Sequence, residues 1–146
     1  MESYADAFDE IALVFGSNSS GGLAKLHPSP VHIFKLWHIF LENVNPLTKI
    51  IHAPTLQKQI LEATCDLKSV GKETEALMFG IYSSAVSSMA EEEVQSIFNE
   101  PKATLFSKYQ HGAKQSLINA GLLKTSDVTV LQAFLLFLVS HLALNT

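Results

Sequence analysis

Residues 27–46, HPSPVHIFKLWHIFLENVNP, hold the start, the inner face and the stop of one helix. Ser29 offers a side-chain oxygen to the first unpaired backbone N–H groups, and Pro30 stands at the first helical position, where a missing N–H is no loss. Ile33, Leu36, Trp37, Phe40, Leu41 and Val44 then recur in steps of three and four, so they share one side of a helix. Lys35, His38 and Glu42 fall opposite. Pro46 pushes Asn45 out of the α region and ends the run.

The same grammar continues downstream. Ala53-Pro54 opens a helix carrying Leu56, Ile60 and Leu61, with Cys65 a further candidate for the same set. Residues 73–87 predict a longer one, with Leu77, Ile81, Ala85 and Ser88 on a stripe joined by Met78 and Tyr82. Ser88-Met89-Ala90-Glu91 reads as a capping box for a short helix to Phe98, whose first turn is Glu91 to Glu93. Pro101 begins a helix with Leu105, Tyr109, Ala113, Leu117 and Ala120 on one side. Gly112, Ser116 and Ala120 repeat every four residues along it, small enough to let another helix approach closely. Gly121 suits a left-handed stop. Thr125-Ser126-Asp127 caps a last, very apolar helix from Val128 to Leu144, shorter than the roughly 20 apolar residues of a membrane span.

Upstream, Tyr4, Phe8, Ile11, Ala12 and Phe15 lie on one helical face, with Asp6, Asp9 and Glu10 off it. GSNSSGG (16–22) follows, a flexible linker by composition. The expected organisation is an N-terminal amphipathic segment and linker over 1–22, then a helical domain over 23–146. No strand or hairpin pattern occurs and no heptad pattern is sustained. The fold expected is all-α, an irregular bundle of about six or seven helices.

Composition narrows the function. Hydrophobic residues make up 47% of the chain and charged ones 16%, against a usual charged share of about 25%. Either another protein segment covers part of the surface, or Ser and Asn supply its polarity. The net charge is −4, and the ten basic residues are all lysines, scattered singly. Arginine makes the bidentate contacts to guanine and phosphate on which most DNA readers depend, so direct nucleic-acid binding is not expected. A single cysteine, Cys65, excludes an internal disulfide and any cysteine-cluster zinc site.

Catalytic chemistry is equally thin. His27, His32, His38, His52, His111 and His141 form no HExxH pair. His32 and His38 lie about 120° apart around one helix and cannot easily share an ion. No nucleophile elbow and no phosphate-binding glycine loop occurs. No catalytic residue, metal site or cofactor is expected, and the chain reads as no enzyme. A scaffold binding or converting a small apolar metabolite is the rival reading, with Trp37, Phe40, Met78, Tyr82 and Tyr109 as pocket lining between helices.

Three runs carry a family resemblance: HPSPVHIFKLWHIFLENVNPLTKIIHAPTLQKQILEA, EALMFGIYSSAVSSM and LINAGLLKTSDVTVLQAFLLFLVS. In this order, over about residues 13–141, they resemble the middle homology region of fungal zinc-cluster (Zn2Cys6) transcription factors. Proteins regulating secondary-metabolite gene clusters often carry this version. The resemblance implies an all-helical regulatory region of nuclear proteins that control transcription. It also implies regulation through inhibitory contacts or the sensing of a small-molecule effector. With the low charge and the short last helix, protein partners or self-association are expected and no membrane. Leu36, Trp37, Phe40, Asn43, Asn45, Pro46, His52, Pro54 and Gln57 match signature positions. They are read as fold-specifying: packing residues, a proline stop, and amides that cap backbone groups. The six-cysteine cluster has no counterpart here, and the family's helical domain continues beyond the final helix. The expectation is therefore a truncated or stand-alone module acting through protein contacts, without its own DNA-binding domain.

Overall fold

The computed structural model describes residues 19–122 and 126–144, and every regular element in them is helical. Eight α-helices follow one another: α1 (Ser19–Leu26), α2 (Pro30–Asn43), α3 (Asn45–Thr48), α4 (Ala53–Cys65), α5 (Lys72–Ser87), α6 (Glu91–Phe98), α7 (Lys102–Asn119) and α8 (Val128–Leu144), with a 3-10 turn at Leu67–Ser69. The all-α expectation holds; α1 and the four-residue α3 take the number beyond six or seven. The amphipathic segment at 4–15, the first three linker residues and Thr125 lie outside the described residues.

Local chemistry sets most boundaries. The Ser29 hydroxyl accepts from the His32 N–H and Pro30 opens α2. Ile33, Leu36, Trp37 and Phe40 are buried, while Lys35, His38 and Glu42 are exposed. Gly121 takes a left-handed φ of 73° just after α7. The Asp127 carboxylate accepts from the Thr129 and Val130 N–H groups to cap α8.

Four readings need correction. Ser19–Gly22, assigned to the linker, forms the first turn of α1, which the buried Leu23 anchors to the core. In α4 the third inward residue is Ala63; Leu61 and Cys65 face solvent. Ala63 follows Ile60 by three positions, whereas Leu61 lies about 100° around the axis from Ile60. Ser88 is exposed and ends α5 rather than capping α6, its hydroxyl donating to the Ala85 carbonyl. The N-cap of α6 is Ala90, which has no side-chain acceptor, so only half a capping box forms: the Ala90 N–H donates to the Glu93 carboxylate at 3.3 Å.

The fourth correction decides the architecture. Residues 73–87 were read as an amphipathic helix with one inner stripe, but every residue from Glu75 to Val86 is buried. Helix α5 is the axis of the bundle, with α8, α7 and α2 packed around it. Its serines enter this interior because their hydroxyls bond to their own helix: Ser83 donates to the Phe79 carbonyl at 2.7 Å and Ser84 to the Gly80 carbonyl at 2.9 Å. Two glycines mark the helix crossings. A Cβ on Gly80 would stand 3.2 Å from the Leu136 Cβ and 3.3 Å from the Ala133 carbonyl oxygen of α8; one on Gly112 would stand 2.5 Å from the Phe79 ring.

Lys102 and Glu91 tie the α5–α6–α7 corner. The Lys102 ammonium donates to the carbonyls of Ser87 and Met89, where the end of α5 concentrates negative charge. The Glu91 carboxylate accepts from the Lys102 backbone N–H at 2.8 Å and from Gln95 at 3.1 Å. The Lys102 N–H bond, with Gln95 second, holds the Glu91 carboxyl below the usual carboxylate range. A lowered folded pKa means that this corner contributes fully above the unfolded carboxylate value and loses its contribution as pH falls through the folded one. A side-chain NMR titration should find the Glu91 carboxyl protonating below the usual carboxylate range. Glu91→Gln should abolish the acid-side loosening of the Lys102 amide; an unchanged Lys102 profile would contradict the assignment.

Candidate functional site

The matched signature residues cluster on α2, α3 and the start of α4. Leu36, Trp37 and Phe40 are buried, and the Trp37 ring stacks on Phe40 at 5.8 Å. The Trp37 indole N–H donates to the Gln57 carbonyl oxygen at 3.3 Å, joining α2 to α4. Asn43 donates to the Ser88 hydroxyl at 3.1 Å, joining the ends of α2 and α5. The amides of Asn43 and Gln57 thus bond to side chains on other helices, where backbone caps were expected. Pro46 and Pro54 sit in the first turns of α3 and α4. His52 precedes α4, its ring nitrogen 2.9 Å from the Thr55 hydroxyl. The Asn45 side-chain oxygen is buried with no hydrogen-bond partner.

A polar cluster that sequence reasoning did not assemble lies deeper. His27 has Nδ1 2.9 Å from the Tyr82 hydroxyl and Nε2 3.1 Å from the Glu75 carboxylate. Its ring packs on Phe79 at 4.5 Å, and Tyr82 meets Tyr109 at 5.2 Å. Burial, with Tyr109 and then Glu75 adding to it, pushes the Tyr82 phenol well above the ordinary tyrosine range. The cluster pins the α1–α2 corner to the axial helix. Only the pairing of an imidazole with a carboxylate among apolar neighbours could have signalled it, and no spacing rule connects residues this far apart.

The interior leaves the metabolite reading unsupported. Trp37, Phe40, Met78, Tyr82 and Tyr109 are each at most 1% exposed and belong to one contiguous core. The clefts at the surface are lined by other residues. Of the remaining histidines, His32 packs on Phe98 at 4.8 Å and His38 is exposed. Among the described residues no group of three or more His, Cys, Asp or Glu side chains could hold a metal ion, and no helix is long and apolar enough to cross a membrane.

The surface feature that stands apart is the outer face of α8. Val130, Ala133, Leu136 and Ser140 turn into the bundle. Two hydrogen bonds fix the helix's rotation: Gln110 of α7 donates to the Ser140 hydroxyl at 2.7 Å, and Gln132 donates to the Ile50 carbonyl at 2.8 Å. That rotation leaves Val128, Leu131, Leu135, Leu138 and Leu142 facing out, between 39% and 67% exposed. Scattered apolar residues on a surface are ordinary, but a continuous row is not. Alongside it runs a cleft of about 270 Å³ between α7 and α8, lined by Leu117, Ile118, Leu122, Phe134, Phe137 and Leu138, with Lys114 and His141 at its rim. The face offers apolar area and shape.

No protein-family model matches the chain, and no solved structure matches it. Among curated proteins, the aurofusarin cluster transcription factor aurR2 of Gibberella zeae is 43% identical over 131 residues, 90% of this chain and 20% of its own length. The transcriptional regulator AacuB of Aspergillus aculeatus is 42% identical over 129 residues, 88% of this chain and 18% of its own. The C6 finger domain transcription factor adaR of Aspergillus niger is 34% identical over 129 residues, 86% of this chain and 17% of its own. The chain spans about a fifth of the length of these relatives. The chain is thus a homologue of one stretch of proteins that are named as fungal transcription factors, several of them specific to a biosynthetic gene cluster.

Proposed function

We propose that this chain is a non-catalytic helical module of transcription regulation that works in the nucleus through protein contacts and does not itself read DNA. One observation carries the reading: the apolar outer face of α8, held outward by the Gln110–Ser140 and Gln132–Ile50 bonds. Composition supports it. A net charge of −4, with lysine as the only strong base, gives no electrostatic footprint for a phosphate backbone. The low charged share also matches a surface that another protein covers. The relatives' names support a secondary-metabolite gene cluster as the setting.

Tethering tests this reading. The full chain, fused to an unrelated DNA-binding domain in a fungal host, should change transcription of a matching reporter severalfold. Leu138→Glu in the same fusion should abolish that change while leaving expression and far-UV circular dichroism as they were. A variant that regulates as well as the parent would remove α8 from the contact.

A further inference from the structure

We infer that the outer face of α8 binds a second copy of itself, antiparallel, across a two-fold axis at Leu135. This rests on α8 being the contact face, as proposed above, and names its occupant. The exposed row steps by three, four, three and four residues, from Val128 through Leu131, Leu135 and Leu138 to Leu142. At 100° per residue the five positions fall within an arc of about 80°, opposite the face buried against α5. That spacing over two heptads is the seam that lets helices pack knobs into holes.

The charge pattern selects the same helix as partner. No Asp, Glu or Lys occurs between Val128 and Leu144. A charged amphipathic helix would find nothing to pair with along this ridge, whereas a second α8 brings an apolar ridge of equal length and repeat. Direction follows from register and charge. With Leu135 on the axis, Val128 meets Leu142 of the other copy and Leu131 meets Leu138, each pair occurring twice, as a two-fold interface requires. Asp127 at one end then comes opposite the His141 end of the other copy, and the helix dipoles oppose. A parallel pair would set Asp127 against Asp127 and align the dipoles.

Size sets the strength. The five side chains with Ile118 expose on the order of 500 Å², as large as the biggest apolar patch on a typical monomer. Two copies together would bury about 1,000 Å², the lower end for a specific interface. A pair of this size should be weak and reversible.

Sedimentation equilibrium on the full chain should show a mass rising from 16.0 kDa towards twice that value between about 1 and 300 µM. Leu135→Glu places two carboxylates face to face on the axis. It should hold the chain monomeric throughout, weakening the pair more than tenfold, with its melting curve unchanged. Direction is read by oxidative cross-linking in a Cys65→Ser background. Leu135→Cys should link to itself, Val128→Cys should not, and Val128→Cys mixed with Leu142→Cys should form the mixed disulfide. A monomer at every concentration overturns the inference, as does a dimer indifferent to Leu135→Glu or a self-linking Val128→Cys. If Phe8→Asp in the full chain turns a monomer into the Leu135-dependent dimer, the N-terminal segment is the natural occupant and the inference fails. A monomer whose tethered reporter still depends on Leu138 sinks the dimer and leaves the proposed contact role standing.

Discussion

Gly112→Ala should lower the stability of this protein by about 2 kcal/mol, although the same change in an open helix stabilises by up to about 1 kcal/mol. The new methyl would sit 2.5 Å from two atoms of the Phe79 ring. That ring cannot swing away: it is fully buried, packed on His27 at 4.5 Å and edge-on to Tyr82 at 5.4 Å. Helices α5 and α7 must therefore separate by about 1 Å along their contact. Overpacking of this kind costs about 1–3 kcal/mol, and more in a rigid site. Gly112→Leu should prevent folding. Phe79→Leu combined with Gly112→Ala should destabilise less than the sum of the two single changes, because the smaller side chain yields the space. Thermal unfolding followed by circular dichroism measures all of this. A raised melting temperature for Gly112→Ala would show that the helices do not approach as closely as described.

The second large effect is expected at His27. His27→Ala should destabilise by about 3 kcal/mol, since it leaves the Tyr82 hydroxyl and the Glu75 carboxylate buried without their partner. It also opens a cavity beside Phe79. The discriminating variant replaces the whole cluster. His27→Leu, Glu75→Leu and Tyr82→Phe together remove every polar atom in question while keeping most of the volume, and should recover more than half of the loss. Urea unfolding of the parent, His27→Ala and the triple variant decides it. A triple variant as unstable as His27→Ala would mean that packing, with no contribution from unmet hydrogen bonding, sets the cost.

Both effects arise from contacts between residues distant in sequence, which is why they were hard to read there. What sequence gave away was local: Ser29 and Pro30 at the start of α2, Gly121 after α7, Asp127 before α8; at Asn45-Pro46 the run does break, but Asn45 is helical and opens α3. Each rests on a backbone group and a side chain no more than four residues apart. Gly112 was legible as a close-approach position, but its partner Phe79 was not. His27 lies 48 residues from Glu75 and 55 from Tyr82, with no pattern linking them. Helix α5 hid its central place because Gly80, Ser83 and Ser84 make it look polar on one side, and only the Ser83 and Ser84 bonds to carbonyls of the same helix show why that side can be buried. The seam on α8 was masked by abundance. Nearly every residue from Val128 to Leu144 is apolar, so no face stands out until Gln110 and Gln132 fix which one points away.

The axial place of α5 also bears on how the chain is made. Helix α8, which covers the Gly80 flank of α5, is synthesised about 40 residues after Ser87. At roughly 5–20 residues per second, that flank stays bare for about 2–8 seconds during translation. For that interval the nascent protein carries its most buried helix as an open groove, and its passage to the native state depends on what meets that groove first.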